Sequence, residues 1–312
     1  MQTDAARQKG QEICMIQKLK EMLGRPVYFI TSIASRGWLD WVPDAIYLKI
    51  IYRGLMGDSL NLENPQKYSE KVQWLKLHDR KPEYSVMVDK YAVQKYIADK
   101  LGEQYLIPCY GVWEHFEDID FDTLPNEFVL KCTHDSGSVI ICKDKASFDK
   151  EAARKRIKKA YGRSFYSAYR EWPYKNVKPR IIAEKFMVDE SGNDLKDYKV
   201  MCFGGRAELI KVHQNRFNDD RHTQDFYDRN WNNMHIVQKT LNRADWDVER
   251  PKNLEELLRL SEVLAKDMKH ARIDWYVIGE AIYFGEITFY SSSGLIPFDE
   301  RGEKLLGDLL QL

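Results

Sequence analysis

Arg272-Ile273-Asp274-Trp275-Tyr276 and Tyr283-Phe284-Gly285-Glu286-Ile287-Thr288 are the two stretches that decide how this chain is read. Both are crowded with β-branched and aromatic residues, and Gly279-Glu280 between them is a turn signal, so they predict a hairpin. A hairpin brings Asp274 and Glu286 near each other. A plain two-residue turn at Gly279-Glu280 would pair Asp274 with Gly285 and send Glu286 to the opposite face. A shared face therefore requires a three-residue turn or a bulge. Two neighbouring carboxylates repel and usually share a proton or a cation. Such hard oxygen donors suit Mg²⁺, which takes a few carboxylates and completes its shell with substrate phosphates. The fork of donors on Arg272 suits a phosphoryl oxygen. The cluster implies a nucleotide site, provided that the chain carries a phosphate grip elsewhere.

That grip lies upstream. Val129-Leu130-Lys131 closes an apolar strand and runs into the turn Cys132-Thr133-His134-Asp135-Ser136-Gly137-Ser138, and a second apolar strand, Val139-Ile140-Ile141-Cys142, follows at once. A lysine at a strand end beside a small polar turn such as Ser136-Gly137 can hold phosphate from a hairpin loop. The chain has neither GxxxxGK[ST] nor a GxGxxG opening a helix, which excludes a P-loop and a dinucleotide fingerprint. A third segment, Arg180 to Val188, reads as a buried strand carrying charge. A Glu190-Ser191-Gly192-Asn193 turn and a further strand, Asp197 to Phe203, follow it.

In this order the pieces resemble the ATP-grasp superfamily, and more closely the TupA-like ATP-grasp family of bacterial surface-polysaccharide genes. The residues that carry the resemblance begin with Tyr68-Ser69-Glu70-Lys71-Val72-Gln73-Trp74-Leu75-Lys76-Leu77 and Val88-Asp89-Lys90-Tyr91-Ala92-Val93. Tyr105-Leu106-Ile107-Pro108, Phe128-Val129-Leu130-Lys131-Cys132 and Arg170-Glu171-Trp172-Pro173-Tyr174 continue it, and Asp197-Tyr198-Lys199 and Phe284 to Phe289 complete it. The resemblance covers about Ile50 to the end. It implies an α+β ATP-grasp fold, two α+β lobes closing on ATP, preceded by a mainly helical N-terminal region. The implied division is 1–110 for the N-terminal part and 111–312 for the ATP-grasp part.

The resemblance also assigns roles. Lys131 and the earlier Lys90 would hold phosphates, with Ser136 and Gly137 in the phosphate loop. Glu184, Lys185, Phe186 and Met187 would form the adenine hinge. Lys199 would face the nucleotide and take part in catalysis. Arg272 would stabilise the reacting centre, and Asp274, Glu286 and Thr288 would ligate Mg²⁺. Two departures stand out. Thr288 occupies a position where the superfamily usually has Asn, and Asp135 stands in the phosphate loop where glycine is expected. An anion there must either turn away from phosphate or help to hold a metal. The implied chemistry is ATP-dependent carboxylate activation followed by attack of an amine, in building or decorating a surface polysaccharide. The partners implied are ATP, a carboxylate-bearing sugar or glycan and an amine or amino acid. Rival readings are a phosphotransferase acting on a sugar hydroxyl, and a glycosyltransferase or non-catalytic partner in glycan assembly.

Composition agrees with these expectations. The 312 residues are 44% hydrophobic and 31% charged with a formal net charge of zero, which suits a globular protein and argues against general nucleic-acid binding. The charge is uneven: from Lys150 to Arg180 the chain carries many Lys and Arg but only Glu151 and Glu171 as acids. That stretch is either a solvated helix face or a surface for an anionic acceptor. No apolar run approaches the ~20 residues of a membrane helix. The N-terminus lacks a signal-peptide core, and the five scattered cysteines suit reduced thiols, so a cytoplasmic location is expected, with a peripheral contact to the membrane or to glycan-assembly machinery. A loosely periodic helix is expected before Pro26, a helix from Asp89 to Gly102, and further helices over 149–160 and 253–269. The aromatic residues between Val27 and Asp79, Trp38 and Trp41 among them, are expected in the core. His213 to Arg216 are a candidate acceptor-pocket segment with a strand end as the plain alternative, and Ser291-Ser292-Ser293-Gly294 are a candidate acceptor or phosphate loop with a surface turn as the plain alternative.

Overall fold

Alternating apolar residues build two antiparallel sheets, and helices cover them. The computed structural model describes residues 26–188, 196–214, 222–239, 243, 244, 246 and 248–312. The helix expected before Pro26, the Glu190–Asn193 turn, Asn215 and Arg216 lie outside the described residues. In chain order the elements begin with α1 (Pro26–Ala34), α2 (Asp44–Met56), α3 (Tyr68–His78), α4 (Glu83–Val88) and α5 (Ala92–Leu101). Next come β1 (Cys109–Trp113), β2 (Phe128–Cys132), β3 (Ile140–Cys142), α6 (Lys150–Tyr161), α7 (Phe165–Tyr169) and β4 (Ile181–Lys185). The rest are β5 (Lys196–Phe203), β6 (Arg206–Gln214), β7 (Thr223–Asp228), α8 (Leu254–Ala265), β8 (His270–Ile278), β9 (Ala281–Thr288) and α9 (Glu300–Leu309). The fold class is α+β, with sheet orders β1-β4-β2-β3 and β7-β6-β5-β8-β9.

Each sheet has its own core. Phe128, Leu130 and Cys132 of β2 face inward onto Ile157 of α6 and Ile181 and Ala183 of β4. The large sheet packs on α8, whose Leu254, Leu257, Leu258 and Leu264 form one buried stripe. Ser261 on that stripe accepts a hydrogen bond from the buried Trp275 indole at 2.8 Å. Tyr68, Val72 and Leu75 of α3 and Val93 and Ile97 of α5 join this same core.

Three expectations need correction. The helix expected from Asp89 starts at Ala92, because Asp89 is extended and its Oδ1 takes the backbone N–H groups of Tyr91 and Ala92 at 2.9 and 3.2 Å. The helix expected over 253–269 stops at Ala265, where Asp267 takes a left-handed φ of 66° and turns the chain into β8. Trp38 and Trp41 are exposed, at 67% and 79%, on the turn between α1 and α2, while Tyr47 and Tyr52 of α2 do belong to a core. The N-terminal helices are tied on by Arg170, which is fully buried with a left-handed φ of 56°. Its guanidinium meets Asp44 at 2.9 Å, donates to the Leu39 carbonyl at 2.7 Å and lies 4.1 Å from the centre of the Tyr47 ring.

Candidate active site at a strand bulge

The β8–β9 hairpin closes with the two-residue turn, Ile278 opposite Ala281, and Gly279 takes the φ of +59° that such a turn needs. Uncorrected, that register would separate the carboxylates. A bulge at Gly285 inserts one residue between the Trp275–Phe284 pair and the Asp274–Glu286 pair, so Asp274 and Glu286 stand opposite each other. Glycine suits the bulge, since a Cβ would sit 3.0 Å from the Asp274 carbonyl oxygen and 3.3 Å from the Tyr276 ring and would push on both.

The register extends this pair into a row across the sheet. Lys199 of β5 stands beside Asp274, and Lys211 of β6 beside Lys199. Arg272, on the same face of β8, grips Asp274 with two donors, Nε to Oδ1 at 2.7 Å and Nη2 to Oδ2 at 2.8 Å. Its Nη2 also donates to Glu286 Oε1 at 2.9 Å and to the Thr288 hydroxyl at 3.1 Å, and its Nη1 to Ser291 Oγ at 3.3 Å. Burial alone would lower the Arg272 pKa, but Asp274 and Glu286 outweigh it and hold the guanidinium charged beyond its ordinary value. Lys199 forms ion pairs with Asp274 and with Asp197, the latter at 2.6 Å. Lys211 is buried, donates to Gln238 Oε1 at 3.1 Å, and has its ammonium pulled down by burial and by the nearby Arg272 and Lys199 charges.

The small sheet supplies the opposite wall. On β2, Val129 and Lys131 point away from the core, and Val129 lies in register between Ile141 of β3 and Glu184 of β4. Lys131 and Glu184 form an ion pair. Lys90, just before α5, donates to the Asp135 carbonyl oxygen. The Asp135 carboxylate is turned from the loop tip, because its Oδ1 accepts from the Ser138 hydroxyl at 2.6 Å, and that hydroxyl accepts from Cys132 N–H at 2.8 Å. Of the two possibilities for this anion, turning away is what the loop adopts. The tip is left to the exposed Ser136 and Gly137. Cys132 is buried, and burial pushes its thiol up to about 12, as suits a structural thiol.

Between the sheets lies a cleft of about 330 Å³. Lys90, Lys131, Ser136, Gly137, Glu184 and Lys185 to Met187 line it from the small sheet, and Lys199, Asp274 and Glu286 from the large one. Arg272 and Thr288 stand behind this lining, joined to it through Glu286. Sequence reasoning missed the apolar walls, Ile107, Val129 and Ile141, and Tyr276. Parity could have found two of them, since Val129 has the parity of Lys131 and Tyr276 that of Asp274. His213 is the last residue but one of β6, with its Nδ1 3.0 Å from His222 Nε2.

The oxygen donors fit a hard dication. Three of the four carboxylate oxygens of Asp274 and Glu286 are taken by Arg272, Lys199 or Thr288, and Glu286 Oε2 has no protein partner among the described residues. A cation here would compete with Arg272 and Lys199, and phosphates would both engage those two side chains and complete the coordination shell.

The pattern of residues that defines TupA-like ATPgrasp proteins matches positions 70–311. The chain belongs to the TupA-like ATPgrasp family. Membership brings ATP, with Mg²⁺, as the cofactors. Among solved structures, the chain is similar to a Bacillus anthracis D-alanine–D-alanine ligase complexed with ATP, at 18% identity over 65% of this chain and 55% of that one, with a TM-score of 0.40. It thus spans little more than half of that ligase. It is also similar to D-alanyl-alanine synthetase A from Vibrio cholerae, at 12% identity over 79% and 69% of the two chains with a TM-score of 0.42. A RimK domain ATP-grasp protein from Sphaerobacter thermophilus matches at 12% identity over 73% and 69%, with a TM-score of 0.39. None of the curated proteins matches the chain.

Helix α3 braces the site from behind. Lys76 is fully buried and donates to Gln73 Oε1 at 2.8 Å, to the Tyr169 carbonyl at 3.0 Å and to the Ser293 carbonyl and hydroxyl at 2.8 and 2.9 Å. Gln73 donates to the Ser293 and Gly294 carbonyls at 3.1 and 3.0 Å. Together they hold the Ser291–Gly294 turn, in which Ser292 and Ser293 take left-handed φ values of 50° and 57°, and Ser291 accepts from Arg272. The turn is buried at Ser291 and Ser293, so it is no plain surface turn.

Proposed function

We propose that this protein is an ATP-dependent carboxylate–amine ligase that forms an amide in the synthesis or modification of a bacterial cell-surface polysaccharide. The observation that carries the reading is the Arg272–Asp274–Glu286 cluster, placed by the Gly285 bulge across a cleft from Lys131. In this reading Lys131, Lys90 and the Ser136–Gly137 tip hold the phosphates, and the walls Val129 and Ile141 with the hinge from Glu184 to Met187 hold the base. Asp274, Glu286 and Thr288 would hold Mg²⁺, which supplies charge to the phosphates. A substrate carboxylate oxygen attacks the γ-phosphorus, the bond to the ADP oxygen breaks, and an acyl phosphate forms. The amine nitrogen then attacks the acyl carbon, phosphate leaves and the nitrogen loses a proton. Arg272 and Lys199 spread the charge that builds on the transferring group and on the tetrahedral centre. Such chemistry asks the protein for position and positive charge, and for no covalent nucleophile.

The test is a screen of ATP consumption against sugar acids and amines, followed by hydroxylamine in place of the amine. A ligase gives hydroxamate, ADP and phosphate, and Glu286→Ala abolishes all three. A stable phosphorylated sugar with no hydroxamate hands the site to a phosphotransferase.

A further inference from the structure

On the far side of the phosphate loop lies a second groove of about 570 Å³. Ser136 and Gly137 line both, so the loop tip is the wall that the two spaces share. The groove's other walls come from α1, α6, α7 and the residues that join α6 to α7. Arg156 and Lys159 are three apart on α6, the spacing that aligns side chains on one helix face, and Arg163 joins them in the groove wall from just beyond the helix end. All three are exposed, and among the described residues none has a carboxylate partner. Glu117 and Glu151 pair with Arg154 instead. The one acid lining the groove is Asp135, whose Oδ1 is occupied by Ser138. Tyr28 and Phe165 add ring faces, and Ser35 adds a hydroxyl. The backbone bond from Ser164 N–H to the Ser35 carbonyl, at 2.8 Å, joins α1 to the segment after α6.

Convergent unpaired cations ask for an anion, and two guanidinium forks among them suit a phosphate. Ring faces beside them suit a sugar. Resting on the ligase reading above, we propose that this groove holds the phosphate end of the acceptor, a sugar acid that carries a phosphate ester. Its carboxylate end reaches past Ser136 and Gly137 into the nucleotide cleft, so the loop tip lies between the handle of the substrate and its reacting group. Arg156 donates to the Gly137 carbonyl at 2.9 Å, which couples the occupant of the groove to the loop.

The test is calorimetric titration of the full chain, saturated with Mg²⁺ and a non-hydrolysable ATP analogue so that the cleft is filled. The probes are glucuronic acid 1-phosphate, glucose 1-phosphate and glucuronic acid. Both phosphates should bind, and glucuronic acid should bind at least about tenfold more weakly. Lys159→Glu with Arg163→Glu should weaken glucuronic acid 1-phosphate at least about tenfold. Lys155→Glu with Lys158→Glu makes the same charge change on residues of α6 that do not line the groove, and should leave that affinity within about twofold. Affinity for the analogue should hold within about twofold in both proteins and reports that they are folded. Equal losses from the two pairs, an unchanged affinity in the first pair, or no saturable binding to the unaltered protein would each overturn the proposal. No turnover is read, so a missing hydroxamate leaves this result standing, and a missing groove leaves the ligase reading standing.

Discussion

The small sheet has one dry face and one open face, whereas strand β8 of the large sheet is buried on both faces over most of its length. Along β2, Phe128, Leu130 and Cys132 are buried and Val129 and Lys131 only half so. Along β8, every residue from His270 to Trp275 is buried, Arg272 and Asp274 included. Lys131 therefore needs one partner, Glu184, and faces the cleft. Arg272 stands where an isolated charge would be prohibitive, and it is met by Asp274, Glu286, Thr288 and Ser291 together. The difference teaches that the two cations are held at different cost. One can be removed with loss mainly to binding, and the other cannot be removed without loss to the fold.

That contrast is broken most directly by deleting each charge. Arg272→Met leaves Asp274 and Glu286 facing each other with Lys199 alone, and should cost about 3–5 kcal/mol of stability as well as turnover. Lys131→Met should cost clearly less stability while weakening ATP binding by roughly a hundredfold, the value of one charge-assisted phosphate contact in a closed site. Denaturant unfolding beside nucleotide titration measures both. Equal stability losses would remove the distinction between the sheets.

A second test lies at the start of β8. His270 accepts from the Tyr68 hydroxyl at 2.9 Å and donates from Nδ1 to the Cys202 carbonyl at 2.9 Å, the neutral tautomer with both nitrogens used. Burial pulls the imidazole down to about 4, with the Cys202 carbonyl opposing and the Arg272 charge adding. The folded pKa is thus below the unfolded one, so the unfolded chain binds the extra proton between them. Stability should be full above about pH 6.5 and fall by about 3 kcal/mol as the pH drops to 4. Unfolding of His270→Gln across the same range should lack this component, and an identical slope in both proteins would show that the large sheet tolerates the charge.

The smallest change sharpens the role of the bulge. Gly285→Ala places a methyl against the Asp274 carbonyl oxygen. It should cost about 1–3 kcal/mol and reduce turnover with little change in ATP affinity, because it shifts Asp274 against Glu286 and leaves the small sheet alone. A loss confined to ATP affinity would place the consequence of the bulge in the wrong sheet.

Much of this was legible in the sequence, and the limits have physical causes. Asp274 and Glu286 were readable as a pair because charges inside β-branched, aromatic runs are rare and costly. The need for a bulge followed from strand parity, and Gly285 supplies it. The register of β5 and β6 was not legible, since it is set by packing on α8, and with it the Lys199–Lys211 neighbourhood stayed hidden. Trp38 and Trp41 were misread because composition marks a residue as apolar and does not say whether an element covers it. The α3 brace was visible only as a motif. Lys76 reads as a surface lysine until Ser293 and Tyr169 close around it.

In the ligase reading a substrate carboxylate oxygen becomes bonded to phosphorus in this cleft. It is tested by turnover of the sugar acid found in the screen, labelled with ¹⁸O in its carboxylate, and by mass analysis of the phosphate released. One labelled oxygen per phosphate is the predicted result, since the acyl phosphate breaks at the acyl carbon and the bridging oxygen leaves with phosphorus. Phosphate free of label, formed in step with product, would contradict it.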